Sequence, residues 1–266
     1  MSGNLNIIAH RGLWNITKIA NRQSSDLQKQ FTLKAYENAF QKGFGAEADI
    51  TLSNGILVVN HPSDETKSFE LETLLRLREK YKTTEKPLPL MLHLQSSGIA
   101  IHLKKLLDSI SKDDPFILGF GYDYAPQNYT MNQGILMLST LSPTARDADF
   151  LYKPTADNTD LVLCTPDEIK PAGIYVEHSP QGFVNWNLVQ YMADIGKHVL
   201  FCAVEFDKPT GRILKQIRAR GLDKNPNVHV MTNNPEKTAA FFGIKRPIEA
   251  KPLKMNPVLF SKNTSR

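Results

Sequence analysis

Apolar positions in this chain gather into short, nearly unbroken runs rather than long alternating ones. Residues 5–9 (LNIIA), 45–50 (GAEADI), 88–94 (LPLMLHL), 116–120 (FILGF), 134–138 (GILML), 172–177 (AGIYVE), 198–204 (HVLFCAV) and 228–232 (VHVMT) each read as a buried strand. Between several of them apolar residues return at helical spacing. Leu33, Tyr36 and Phe40 share one face, as do Ile99, Leu103, Leu106 and Ile110. Leu188, Val189, Met192 and Ile195 repeat the pattern, and so do Ile213, Leu214 and Ile217. Eight strands interleaved with helices predict an α/β chain folded as a (β/α)8 TIM barrel, with an open parallel sheet as the rival arrangement. A ninth run, LVLC at 161–164, fits the barrel only as an insertion.

One segment breaks the alternation. In TLSNGILVVNHP (51–62) the pair Asn54-Gly55 is a hairpin-turn signal, and ILVV after it reads as a strand. The second strand is therefore expected to lead into a small β-excursion that ends on His61. Residues 14–30, rich in Asn, Gln, Ser and Lys, read as a loop above the first strand. Residues 1–245 are expected to form a single barrel domain, with 246–266, which carry Pro247, Pro252 and Pro257, as a C-terminal tail.

Composition narrows the class without naming a function. Of 266 residues 41% are hydrophobic and 22% charged, an ordinary globular balance. Lys and Arg number 32 against 27 Asp and Glu, and the net charge of +5 favours anionic ligands over cationic ones. No zinc-finger spacing or RNA-binding signature turns that charge into an expectation of nucleic-acid binding. Cys164 and Cys202 both sit in apolar runs, form no CxxC, and read as buried thiols. No apolar stretch reaches the ~20 residues of a membrane span, and the opening MSGNLNIIAH has no signal-peptide pattern, so a cytoplasmic location is expected. Nothing in the pattern speaks to the oligomeric state. Trp14 and Trp186 read as packing residues rather than as the wall of a sugar pocket.

The candidate chemistry lies where strands end. Glu47 and Asp49, two apart on a strand, face the same way, and two adjacent carboxylates repel unless a cation or proton stands between them. Oxygen ligands of this kind suit Mg²⁺ or Ca²⁺. In a parallel barrel every strand points its C-terminal end at one face, where active sites are built. His10 and Arg11 close the first strand, Glu47 and Asp49 lie on the second, and His61 ends the excursion. That set suits a phosphodiester, with Arg11 and a cation meeting the phosphate and two imidazoles moving protons.

These segments also carry a resemblance. AHRGLW at 9–14, followed by TLKAYENAFQKGFGAEADITLSNGILVVNHP at 32–62, is similar to the glycerophosphodiester phosphodiesterase family, within the wider group of phospholipase-C-like phosphodiesterases. The shared pattern is an HRG ending strand one, an ExD on strand two, and an NG turn leading through apolar residues to a second histidine. The resemblance implies a TIM barrel in which His10 and His61 are the catalytic acid/base pair, Arg11 binds the substrate phosphate, and Glu47 with Asp49 holds a divalent cation. It implies a metal-dependent phosphodiester hydrolase whose substrate's own neighbouring hydroxyl attacks phosphorus, giving a cyclic phosphate that water then opens. A small-molecule phosphodiester linked to glycerol or a sugar is the expected substrate.

The chain departs from the family pattern in three places. Only Thr32 remains of the polar turn that opens the first helix, Pro62 follows the second histidine, and strand three ends HLQSS where the family has NIExK. His93, Gln95 and Ser97 thus stand where the family motif has its asparagine, the third metal carboxylate and a lysine. Gln95 could ligate through its carbonyl oxygen, and Glu177 and Glu205, both at strand ends, are alternative third ligands. Two other outcomes stay open: a catalytically weakened barrel that binds an anionic, phosphate-bearing ligand or partner, and a lyase that stops at the cyclic phosphate.

Overall fold

The computed structural model describes residues 5–13, 32–60, 68–95, 99–111, 114–121, 136–140, 173–176, 184, 186–202 and 208–244. Ten strands lie in one sheet: β1 (Asn6–Ala9), β2 (Gly45–Ser53), β3 (Ile56–Val59), β4 (Phe69–Glu70), β5 (Leu90–Leu94), β6 (Ile117–Gly121), β7 (Leu136–Thr140), β8 (Gly173–Val176), β9 (His198–Cys202) and β10 (Val228–Thr232). Their order is β1-β10-β9-β8-β7-β6-β5-β2-β3-β4, and β1 also pairs with β2. The first strand thus has a parallel partner on each side, β10 and β2, which the sheet can provide only by curling. The result is a mixed α/β fold on a curled, mainly parallel sheet.

Six α-helices are described: α1 (Leu33–Gln41), α2 (Leu71–Tyr81), α3 (Ile99–Ile110), α4 (Trp186–Asp194), α5 (Lys208–Ala219) and α6 (Pro235–Phe242). They follow β1, the β3–β4 excursion, β5, β8, β9 and β10. The segments after β6 and β7, the LVLC run with Cys164, Trp14 and the tail lie outside the described residues. The excursion forms as expected. Asn54 (φ 48°) and Gly55 (φ 78°) make the left-handed two-residue turn that joins β2 to antiparallel β3.

Both faces of the sheet are buried, which is why its strands read as continuous apolar runs. Outward-facing Ala46, Ala48, Ile50, Leu90, Leu92 and Leu94 pack under α1, α2 and α3 with Tyr36, Leu74 and Leu103. A second cluster joins β8, β9 and β10 to α4, α5 and α6, and Trp186 packs there, 5.7 Å from the Phe201 ring. The inner face carries Ile8, Met91, Leu118, Tyr175, Leu200 and Met231, with half-buried Cys202 against them. Each such side chain contributes ~1.5–3 kcal/mol when fully buried. Together they make an apolar floor beneath the strand ends.

One buried cation ties α2 to the approach of β5. Arg78 is fully buried, and its guanidinium donates to Leu88 O (2.6 Å), Pro87 O (2.7 Å) and Asp114 Oδ2 (2.7 Å). Asp114 in turn accepts from Phe116 N (2.9 Å), just before β6. Leu88, held at φ 47°, thereby enters β5 at a fixed angle, and β5 delivers His93 and Gln95 to the site.

Candidate functional site

Three inner-face residues sit one pleat above the apolar floor. His10, His93 and Asn233 follow Ile8, Met91 and Met231 by two positions each, so all point to the same side. Glu47 and Asp49 join them from β2, where Asp49 stands directly opposite His93 in the register with β5. The parallel strands bring these groups to one end of the sheet.

Local backbone fixes the first of them. His10 N donates to Thr232 O (3.0 Å), continuing the β1–β10 ladder, and the chain then turns through Arg11 (φ 59°) and Gly12 (φ 81°). A Cβ on Gly12 would stand 2.9 Å from the Ala35 carbonyl carbon, so only glycine lets the turn sit on the start of α1. Leu13 N then donates to Ala35 O (2.8 Å), and Thr32 caps the helix by accepting from Ala35 N (3.2 Å). The turn also aims the Arg11 backbone N–H at Glu47 Oε2 (3.1 Å).

The side chains then divide unequally between the two carboxylates. Asp49 meets Arg11 Nε at Oδ2 (3.3 Å), His93 Nδ1 at Oδ1 (2.8 Å), and the Gln95 amide, which donates to Oδ1 (2.5 Å). Among the described residues Glu47 meets the Arg11 N–H and, at 3.9 Å, His10 Nε2. Burial pushes the Asp49 carboxyl up, but the contacts with His93, Arg11 and Gln95 outweigh it and hold the group below its ordinary value. Burial, and then the charge of Asp49, drive Glu47 well above the usual carboxylate range. His10 offers Nδ1 to Asn233 Oδ1 (2.8 Å), and burial, with the Arg11 charge next, lowers its pKa to about 4. Its ring is therefore neutral at pH 7.

This donor set fits a cation. Glu47, Asp49 and His93 each offer a ligand atom, and those atoms all lie within 4.8 Å of one another. Asp49 is almost wholly buried, and despite the nearby Arg11 its Oδ2 accepts no hydrogen bond. A positive ion would relieve both that oxygen and the repulsion registered at Glu47.

The structure therefore brings together His10, Arg11, Glu47, Asp49 and Gln95. Gln95 presents its amide nitrogen, not its carbonyl oxygen, to Asp49. His61, Glu177 and Glu205 lie outside the described residues; Asn60, next to His61, donates its backbone N–H to Asp49 O (3.0 Å). Two members of the site were not foreseen. His93 stood in the sequence as part of the altered strand-three motif, but only the β2–β5 register sets it beside Asp49. Asn233 was signalled, at most, by polar residues following the apolar run of β10.

The fold is similar to that of a glycerophosphodiester phosphodiesterase. That structure, from Agrobacterium tumefaciens, is 15% identical, with 89% of this chain and 98% of that chain covered at a TM-score of 0.52. A mutant tryptophan synthase alpha-subunit from Pyrococcus furiosus is also matched, at 11% identity, with 91% of this chain and 95% of that one covered and a TM-score of 0.44. No protein-family model matches the sequence, and no curated protein does. Among the described residues, no helix is long and apolar enough to cross a membrane.

Proposed function

We propose that this chain is a divergent member of the glycerophosphodiester phosphodiesterase family, a (β/α)8 barrel over residues 1–245 that hydrolyses a glycerol- or sugar-linked phosphodiester with a divalent cation. The observation that carries the reading is the meeting of His10, Arg11, Glu47 and Asp49 at one end of the sheet, on a fold similar to that of such an enzyme. Glu47 and Asp49 are the residues that hold the cation, which when bound stabilises negative charge on the phosphoryl oxygens. Arg11, partly open to solvent beside Asp49, binds the phosphate.

His10 takes the proton of the attacking substrate hydroxyl. Its lowered pKa keeps it neutral, and Asn233 at Nδ1 leaves Nε2 as the basic nitrogen. His61, on the segment that follows Asn60, donates a proton to the leaving alkoxide. Water then opens the cyclic phosphate with the two imidazoles exchanging roles.

The test is turnover of bis-p-nitrophenyl phosphate and of glycerophosphodiesters with Mg²⁺, Ca²⁺, Mn²⁺ or EDTA. Divalent-dependent hydrolysis that His10→Ala lowers by at least ~100-fold, the scale of one lost general acid/base, is the expected result. Turnover indifferent to both EDTA and the substitution would refute it. Saturable phosphodiester binding without turnover would favour the weakened, ligand-binding barrel, and a cyclic phosphate as end product would mark a lyase.

A further inference from the structure

The two carboxylates do not stand alone on β2. His93 lies opposite Asp49 in the parallel register, with its Nδ1 2.8 Å from Asp49 Oδ1, and it is about one-third exposed. Glu47, Asp49 and His93 put one oxygen, one oxygen and one nitrogen within 4.8 Å of each other. Gln95, two residues further on, spans the pair, with its amide nitrogen 2.5 Å from Asp49 Oδ1 and 2.8 Å from His93 Nδ1. As placed, Gln95 offers a donor to this cluster, so the β5 side of the site contributes a ring nitrogen in place of an oxygen.

We propose that His93 is a nitrogen ligand that makes the site selective for imidazole-accepting transition ions, of the Mn²⁺ to Zn²⁺ series, over Mg²⁺ and Ca²⁺. This rests on the reading of Glu47 and Asp49 as cation-holding residues and adds the class of ion. Mg²⁺ and Ca²⁺ are hard ions that take oxygen almost exclusively, and Mg²⁺ gives up its waters reluctantly. Imidazole suits Zn²⁺, and affinity for a mixed nitrogen and oxygen site climbs along the series from Mn²⁺ towards Cu²⁺. Two carboxylates alone discriminate poorly; the ring nitrogen supplies the difference. The partial exposure of His93 gives the ion a way in, while Asp49 and Glu47 are covered. Gln95, bridging Asp49 and His93, holds the two ligands on one side of the pocket and fixes the imidazole orientation.

The experiment measures ion binding directly on the full chain after EDTA stripping and dialysis. Calorimetry with Zn²⁺, Mn²⁺, Mg²⁺ and Ca²⁺, and Co²⁺ titration followed by visible absorption, give affinities independent of turnover. Electron-spin-echo spectroscopy of bound Cu²⁺ reads imidazole nitrogen at the metal. The expected result is Zn²⁺ and Co²⁺ binding at least ~100-fold tighter than Mg²⁺ or Ca²⁺. His93→Ala and the milder His93→Asn should erase most of that preference and the nitrogen modulation, whereas His10→Ala keeps the modulation. Circular dichroism and thermal midpoints confirm that each variant is folded. Binding of Co²⁺ that His93→Asn leaves unchanged but Glu47→Gln abolishes would overturn the role of His93 while leaving the carboxylate site standing. Equal affinity for Mg²⁺ and Zn²⁺ would do the same. If no ion binds at all, the cation reading itself falls.

Discussion

Two buried histidines at the opposite end of the sheet make the stability of this protein depend on pH. His198 opens β9 and His229 lies on β10; their rings stack at 5.1 Å, with His198 Nδ1 2.9 Å from His229 Nε2. The Phe116 ring meets His198 edge-on, Lys197 adds a nearby positive charge, and among the described residues no carboxylate contributes to holding a proton on either ring. Burial, then Lys197, lowers the His198 pKa from 6.5 to about 4, and burial, then His198, lowers fully buried His229 well below its ordinary value. The unfolded imidazole therefore takes up its proton first. Stability is whole above pH 6.5 and is lost as pH falls towards the folded value. Going down to about pH 5 crosses roughly 1.5 pH units of that window, and at ~1.4 kcal/mol per unit His198 alone removes about 2 kcal/mol. Glu47, whose pKa is raised, works in the opposite direction, so the wild-type curve alone is not diagnostic. Urea denaturation of wild type and His198→Gln at about pH 7.5 and about pH 5 separates the two, because Glu47 is common to both. The stability difference should move by about 2 kcal/mol in favour of the variant on acidification. Parallel pH dependences would show that the folded His198 titrates normally, and the reasoning would fail.

Arg78→Met leaves the Asp114 carboxylate buried without its main partner and strips donors from Pro87 O and Leu88 O. Lys82 Nζ, 2.8 Å from Asp114 Oδ2, still pairs with the carboxylate, so a loss of ~3 kcal/mol, the low end for a broken buried pair, is expected by chemical denaturation, partly recovered when Asp114→Leu removes the under-compensated charge; an unchanged midpoint would contradict it. Asn233 holds His10 at Nδ1, and under the proposed mechanism Asn233→Ala should lower kcat roughly 10- to 100-fold with little change in KM. Asn233→Asp puts a carboxylate at His10 Nδ1, which favours the imidazolium, so the acidic limb of the pH–rate profile should move up from about pH 4. A limb that stays put in Asn233→Asp would remove Asn233 from this role.

Much of the framework was legible because burial on both faces writes a strand as an unbroken apolar run, as in β5, β9 and β10. The β2–β3 hairpin was legible because Asn54-Gly55 names its own turn. The second helix was missed. In LETLLRLREKY five charged residues interrupt the apolar spacing, and Arg78, a residue type that belongs at the surface, is the largest fully buried side chain among the described residues. Arg78 is buried because it satisfies carbonyls of a loop ten residues ahead and a carboxylate thirty-six residues ahead, and no local pattern encodes such partners. The His198–His229 pair was hidden for a related reason. The two residues are not register partners, since His229 stands opposite Leu200, and they meet only across the diagonal of the ladder.

The site shows the same division at the scale of one dipeptide repeat. Glu47 and Asp49 are alike in sequence, two carboxylates on one face of one strand, and nothing in the local pattern tells them apart. Their surroundings make them different groups. Asp49 lies level with the ends of β1 and β5, where Arg11, His93 and Gln95 all reach it, so it stays ionised. Glu47 is one pleat lower, level with Met91 on the apolar floor, and receives one backbone N–H. An unneutralised charge there is costly, which is what its raised pKa expresses. Glu47 is thus the member of the pair whose ionised form would gain most from a cation beside it. Cation affinity should therefore rise with pH, because the raised pKa of Glu47 makes protons compete with the ion for that carboxylate, and calorimetric titration of the ion at several pH values checks it.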